Sequence, residues 1–174
     1  MSSTKTKALF LDRDGIINVD HGYVFKIEDF EFNEGIFETL LSLQSLDYLL
    51  IIVTNQSGIG RGYYSEEAYM ELTSYMVACF AKEGIKIDAV YHCPHTPDED
   101  CKCRKPRTGM IKSANKQFNI QMQDSWMIGD KESDMLVGKN AGILKRIFVS
   151  IKSNSKEATY NVKTVREIVD IVKL

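Results

Sequence analysis

The sequence predicts an α/β fold, a doubly wound and mainly parallel sheet with helices on both faces. Three observations carry this. Ala8–Leu11, Leu49–Val53 and Trp126–Ile128 are apolar runs without alternation, the pattern of strands covered on both faces. They run into polar clusters: Asp12-Arg13-Asp14-Gly15, Thr54-Asn55-Gln56-Ser57-Gly58 and Gly129-Asp130. The stretches between them have helical period and leave room for one helix and short loops, as βαβ units require. Parallel sheets bind ligands beyond the carboxyl ends of their strands, so the polar clusters mark where chemistry is expected.

The 174 residues, 44% of them hydrophobic, suffice to bury a core, and a single domain over residues 1–174 is expected. A net charge of -2 argues against a general nucleic-acid partner, although Lys102, Arg104, Lys105 and Arg107 form a local basic cluster. The apolar run after Lys5 and Lys7 is too short for a signal-peptide core, and no stretch approaches a membrane span. The expectation is a soluble cytoplasmic protein, without a membrane partner, acting as a monomer. Four cysteines would allow two disulfides in a secreted chain, but in a reducing compartment the clustered ones are better spent on metal.

In chain order, the first strand ends at two carboxylates, Asp12 and Asp14. In an extended backbone i and i+2 point the same way, so the pair could share a pocket, with Gly15 turning the chain beside an anion. The same residues also read as a solvated Asp-x-Asp-Gly turn. A polar loop with Asn18, Asp20, His21, Gly22 and Tyr23 leads to a helix from about Glu34 to Leu46, its core face Ile36, Phe37, Leu40, Leu41 and Leu43. After the Leu49–Val53 strand comes a Gly-rich loop, Ile59 to Tyr64, containing Arg61. Ser65 caps a helix that runs to about Lys82, with Glu66 and Glu67 in its first turn, Cys79 on its core face and Gly84 at its C-cap. A third strand, Ala89 to Tyr91, is followed by a helix from about Gly109 to Phe118. Next come the Trp126–Ile128 strand, a helix ending near Gly142, a strand Ile147–Val149 and a last amphipathic helix from about Thr164. Ser150 to Asn161 reads as a loop.

Two constellations carry chemistry. Cys93, His95, Cys101 and Cys103 lie within eleven residues in Cys-x-His and Cys-x-Cys spacing, a tetrahedral zinc set with no open position and therefore structural. His92 is a spare ligand, and two unrelated reduced pairs are the plainer alternative. At strand ends stand Asp12, Asp14, Thr54, Asn55, Lys105, Asp130 and Asp134. Carboxylates sharing one pocket repel, and a hard cation such as magnesium resolves that, with a lysine and a hydroxyl completing a phosphoryl cradle. No Walker or Gly-x-Gly-x-x-Gly motif opens the chain.

Asp12-Arg13-Asp14-Gly15, Thr54-Asn55-Gln56-Ser57-Gly58, Cys103-Arg104-Lys105-Pro106 and Gly129-Asp130-Lys131-Glu132-Ser133-Asp134 resemble, in order, the four motifs of the haloacid dehalogenase (HAD) superfamily. The resemblance implies a Rossmann-like HAD fold in which Asp12 is the nucleophile and Asp14 the general acid and base. Thr54 and Lys105 would hold the phosphoryl group. Magnesium would be bound by Asp12, the Asp14 carbonyl and Asp130, with Asp134 in support. The short segments between motifs leave no cap domain, so substrate choice falls to loops, the zinc loop acting as a lid.

Capless members with this zinc loop look like two groups, D-glycero-D-manno-heptose 1,7-bisphosphate phosphatases and histidinol-phosphate phosphatases. Asn18 to Val24, Gln56 to Gly62 and Gly129 to Lys131 resemble the heptose group, while the five residues between His95 and Cys101 are more typical of the histidinol group. The heptose resemblance implies removal of the C7 phosphate, leaving the 1-phosphate, in nucleotide-activated heptose biosynthesis for surface polysaccharide. Arg61, Arg104 and Lys131 would meet the second phosphate, Asp20, His21 and Tyr23 the sugar hydroxyls, and Gly22, Asn55, Gln56 and Ser57 the rest of the substrate surface. Two other readings compete: a phospho-acceptor receiver domain, whose acceptor aspartate would follow the third strand, and a phosphatase of macromolecular ends.

Overall fold

In the computed structural model, which describes residues 6–174, six parallel strands form one sheet in the order β3-β2-β1-β4-β5-β6. The strands are β1 (Lys7–Leu11), β2 (Tyr48–Asn55), β3 (Ala89–Cys93), β4 (Trp126–Gly129), β5 (Lys145–Val149) and β6 (Tyr160–Val162). The helices are α1 (Ile36–Gln44), α2 (Ser57–Gly60), α3 (Glu66–Lys82), α4 (Gly109–Phe118), α5 (Glu132–Asn140) and α6 (Ile168–Val172).

Successive residues of the buried strands serve opposite layers, which is why the apolar runs do not alternate. Leu9, Leu11, Leu50, Ile52 and Ile128 pack with Leu40 and Leu43 of α1, Met76 and Phe80 of α3 and Ile168 of α6. Ala8, Phe10, Ile51, Val53 and Met127 pack with Met110, Ile111 and Ala114 of α4 and Val137 of α5. The chain winds outward from β1 to β3, then returns to the other side of β1 with β4. The strand order therefore reverses between β1 and β4, and ligands of doubly wound sheets bind at such a reversal. Asp12 leaves β1 there, its N–H donating to the Ile128 carbonyl at 3.0 Å.

The connections are short. Between β1 and α1 there is only a 3-10 turn, and between β3 and α4 no regular element, so among the described residues no cap is inserted. Ser65 accepts from the Ala68 N–H at 3.1 Å, as an N-cap should, and Gly84 takes the positive φ (+76°) that ends α3.

Several expectations change. Residues 150–161 do not remain a loop, because Tyr160 opens a sixth strand paired with β5, and part of the Gly-rich stretch coils into α2. Leu41 is 49% exposed rather than a core residue of α1. Cys79 is half-buried and bonded to the Tyr75 hydroxyl, at the flank of α3 rather than in its core. The i, i+2 argument for Asp12 and Asp14 stops at Leu11: the chain turns after Asp12, with the N–H groups of Ile16 and Ile17 both donating to the Arg13 carbonyl.

Candidate active site

Lys105 is the centre of the site although it comes from the loop after β3. Its buried Nζ donates to Asp12 Oδ1 (2.9 Å), Asp134 Oδ1 (2.7 Å) and the Val53 carbonyl (2.8 Å), which uses all three of its protons. Burial alone would lower its pKa, but Asp12 and Asp134 outweigh burial and raise it. The loop is held by Asn55, whose side chain donates to the Lys105 carbonyl (3.2 Å) and accepts from the Lys105 N–H (3.0 Å). Asn55 thus clamps the backbone of the lysine, a different task from the substrate contact expected of it.

Asp12, Asp130 and Asp134 bring a carboxylate oxygen each within 4.8 Å of one another. Burial first, and then Asp134, push Asp12 up to about 7. Burial likewise pushes Asp130 up to about 6. Asp130 Oδ1 is buried without a hydrogen-bond partner, so the cluster has one acceptor too many for its donors. Gly15 lies against it: at φ +98° a Cβ would come within 2.1 Å of Asp130 Oδ2, so only glycine leaves this carboxylate room. An orphaned carboxylate oxygen among three crowded acids is the donor set a hard divalent cation fits. Asp134 is less free for that task, because Oδ1 holds Lys105 and Oδ2 accepts from the Lys131 N–H (3.1 Å) in a capping box at the start of α5.

Asp14 stands apart from this cluster. Oδ1 accepts from Arg13 (2.8 Å) and Asn18 (3.1 Å), and Oδ2 from Gln56 (3.0 Å). Burial would raise its pKa, but the Arg13 guanidinium, the Asn18 amide and the charge of Lys131 hold the carboxyl below the usual range. Arg13, given no role by the sequence, is 1% exposed and also donates to the Val24 carbonyl at 2.7 Å. Thr54 is buried beside them, its Oγ1 accepting from Gln56 Nε2 at 2.9 Å.

Lys131 bonds Asp20 Oδ2 at 3.1 Å and lies 3.9 Å from both Asp12 Oδ2 and Asp130 Oδ1. Burial opposes its charge, yet Asp12, Asp130 and Asp20 raise its pKa. The other expected substrate residues are scattered around the rim. Asp20 Oδ1 accepts from the Gly22 N–H at 3.0 Å, His21 is bonded to Glu31 at 2.9 Å, and exposed Tyr23 packs edge-on against Tyr63 at 4.9 Å. Ser57 opens α2, exposed Arg61 follows its end, and Arg104 reaches the His95 carbonyl at 3.4 Å.

The thiols of Cys93, Cys101 and Cys103 and His95 Nδ1 form a second cluster. Cys93 Sγ lies 3.4 Å from His95 Nδ1, 3.7 Å from Cys101 Sγ and 3.1 Å from Cys103 Sγ. Ligands about 2.0–2.3 Å from one ion in a tetrahedron stand roughly 3.3–3.8 Å apart, close to these separations. His92 is not among them, since it bonds Glu66 and stacks on Tyr69 at 4.2 Å.

A family profile described as HAD-hydrolase-like matches residues 102–171. Over 97% of this chain and 97% of the other, the sequence is 50% identical to a D-glycero-alpha-D-manno-heptose-1,7-bisphosphate 7-phosphatase of Campylobacter jejuni. The chain belongs to the heptose-bisphosphate 7-phosphatase family. A second member, named for the beta anomer, from Helicobacter pylori, is 47% identical over 96% of this chain and 98% of its own. A crystal structure of the D,D-heptose 1,7-bisphosphate phosphatase from B. bronchiseptica, complexed with magnesium and phosphate, superposes with a TM-score of 0.88. It covers 97% of this chain and 98% of its own at 24% identity, and so shares the fold. Membership in this phosphatase family removes the receiver-domain reading, and β3 indeed leads into the Cys/His cluster rather than to an acceptor aspartate.

Proposed function

We propose that the protein hydrolyses the C7 phosphate of D-glycero-D-manno-heptose 1,7-bisphosphate to give the heptose 1-phosphate and inorganic phosphate. The reading rests above all on the 50% identity, across 97% of the chain, to a relative named for that activity.

Asp12 is the nucleophile. Its Oδ1 is occupied by Lys105 and the Arg13 N–H (2.9 Å), which leaves Oδ2 to form the bond to phosphorus while the bond from phosphorus to the sugar oxygen breaks. Asp14 gives its proton to the departing sugar oxygen. It then takes a proton from the water that attacks the aspartyl-phosphate, releasing phosphate and restoring Asp12. The donors around Asp14 favour its anion, the form needed for the second step. The negative charge of an arriving phosphate opposes them and favours the protonated form needed for the first. Thr54 holds a phosphoryl oxygen through its hydroxyl, and Lys105, whose three protons are committed to Asp12, Asp134 and the Val53 carbonyl, sets its positive charge beside the phosphoryl group. Asp12, Asp130 and the Asp14 carbonyl would hold magnesium, with Asp134 acting through Lys105. Magnesium supplies positive charge against the phosphoryl oxygens, so that an anionic nucleophile can approach.

Arg61, Arg104 and Lys131 are the cations for the second phosphate, and Asp20, His21, Gly22 and Tyr23 face the sugar. Gln56 and Ser57 line the base of the site. The second cluster holds structural zinc through Cys93, His95, Cys101 and Cys103. That requires reduced thiols, in keeping with a cytoplasmic enzyme. The same reading takes the chain as one domain, supported by the single sheet that carries every described strand, and as a monomer acting on a small sugar phosphate.

Side-by-side phosphate-release assays with the heptose bisphosphate and with histidinol phosphate test the substrate. Histidinol phosphate carries a cationic amine and an imidazole where the bisphosphate carries a second phosphate, a poor match for Arg61, Arg104 and Lys131, so kcat/KM is expected to be much higher for the bisphosphate. A preference for histidinol phosphate, or loss of the C1 phosphate by phosphorus NMR, overturns the reading.

A further inference from the structure

We propose that Tyr64 is a positioning residue for Asp14: its hydroxyl anchors the Gln56 amide, and the amide fixes one oxygen of the carboxylate. The inference rests on the reading of Asp14 as the general acid. Tyr64 Oη donates to Gln56 Oε1 at 2.6 Å, while Gln56 Nε2 donates to Asp14 Oδ2 at 3.0 Å and to Thr54 Oγ1 at 2.9 Å. Gln56 is 2% exposed, so each end of its amide depends on these partners. The carboxylate selects the NH2 side. Tyr64 satisfies the opposite side; without it, Oε1 is a buried acceptor whose relief is to swing toward water and away from Asp14.

The Tyr64 ring is itself held from two directions. It stacks on Phe25 with centroids 4.9 Å apart and planes 10° from parallel. Gly58 makes the seat, since a Cβ there would stand 2.1 Å from the ring. Phe25 follows Val24, whose carbonyl anchors the other side of the carboxylate: Arg13 Nη2 donates to Val24 (2.7 Å) and to Asp14 Oδ1 (2.8 Å). Both oxygens of Asp14 are thus referred to one short segment, Oδ1 through Arg13 to Val24 and Oδ2 through Gln56 and Tyr64 to Phe25. That segment directly follows Asp20–Tyr23, so the loop that faces the sugar also sets the acid.

The test is leaving-group dependence. The constant kcat/KM reports steps up to departure of the alcohol, and a phenolate departs without much help from an acid. For Tyr64→Phe, kcat/KM is expected to fall about 10-fold on the heptose bisphosphate and no more than about 2-fold on p-nitrophenyl phosphate, a fraction of what general acids contribute. Gln56→Leu should lower kcat/KM on both esters, because the same amide holds Thr54, but more on the heptose bisphosphate, and the double variant should lose no more than Gln56→Leu alone, because Tyr64 acts through Gln56. Equal losses on the two esters, no loss, or additive losses overturn the proposal, as a merely structural tyrosine would depress both esters alike. Asp14→Asn separates the two readings. If it shows the leaving-group dependence and Tyr64→Phe does not, the positioning role alone is wrong; if it does not, the general-acid role fails and takes this one with it.

Discussion

Asp12 and Lys105 show how one contact serves both fold and chemistry at the scale of the residue. The Asp12–Lys105 bond at 2.9 Å is buried, so it is costly to break one-sidedly, and Asp12→Asn keeps an oxygen for Lys105 while removing the nucleophile. Asp12→Asn is expected to lower kcat by about 10⁴-fold or more and to leave cooperative unfolding intact by circular dichroism. Near-normal turnover in that variant would remove the mechanism. The charged members of the site were legible because a carboxylate or lysine beside an apolar strand has few structural reasons to be there. What was not legible was the hydrogen bonding that holds them. Asn55 lies fifty residues from the Lys105 backbone it clamps, and Gln56 forty-two from Asp14, separations that no local pattern reports. Arg13 stood in the first motif, but its burial against Val24 and Asp14 follows from the turn after Asp12, which the i, i+2 rule for strands does not describe.

Among the elements, the loop that carries the Cys/His cluster has the most to do and the least structure of its own. From Pro94 to Thr108 it forms no helix or strand, yet it delivers Lys105 into the buried acidic cluster. It is tied at one end to α2, through Gln56 N–H to Cys93 carbonyl (2.7 Å) and Gly60 N–H to Pro94 carbonyl (2.9 Å), and at the other to α4, through Gly109 N–H to Lys102 carbonyl (2.9 Å). Between these ties the Cys/His cluster spans the loop, helped by Arg104 donating to the His95 carbonyl and by the Asn55 clamp on Lys105. Elemental analysis is expected to find about one zinc per chain. Because structural zinc carries on the order of 10 kcal/mol in small sites, Cys101→Ala should lose the metal, disorder the loop and cut activity severely. A metal-free protein with full activity would remove zinc from the account. This loop was readable because ligand spacing is a local property. β6 was not: Tyr160–Val162 is three residues long in a polar stretch, and it is a strand only because β5 offers it an edge. Leu41 failed in the opposite way, fitting the helical period but falling outside the arc that the sheet covers.

The whole molecule concentrates negative charge at the reversal of its strand order, and that concentration sets a conflict between stability and activity. Asp12, Asp130 and Asp134 share their pocket with Lys105, which the first and last of them hold, and with Lys131, which lies farther off. Asp130 is the member whose removal costs the metal-free fold least. Its Oδ1 has no hydrogen-bond partner, its nearest cation is 3.9 Å away, and burial disfavours its charge. Asp130→Asn therefore relieves repulsion without orphaning Lys105, and it should stabilise the metal-free protein by on the order of 1–2 kcal/mol. In a chain of this size that is a rise of roughly 2–8 °C in Tm. The native protein should gain stability on adding magnesium, by mass action on the folded state, whereas Asp130→Asn should gain little and turn over poorly. Thermal melts of both proteins, with a chelator and with millimolar magnesium, check the pair of effects. An Asp130→Asn variant that melts below the native chain without metal, or responds to magnesium as the native chain does, would show that the three acids are not held together for a cation.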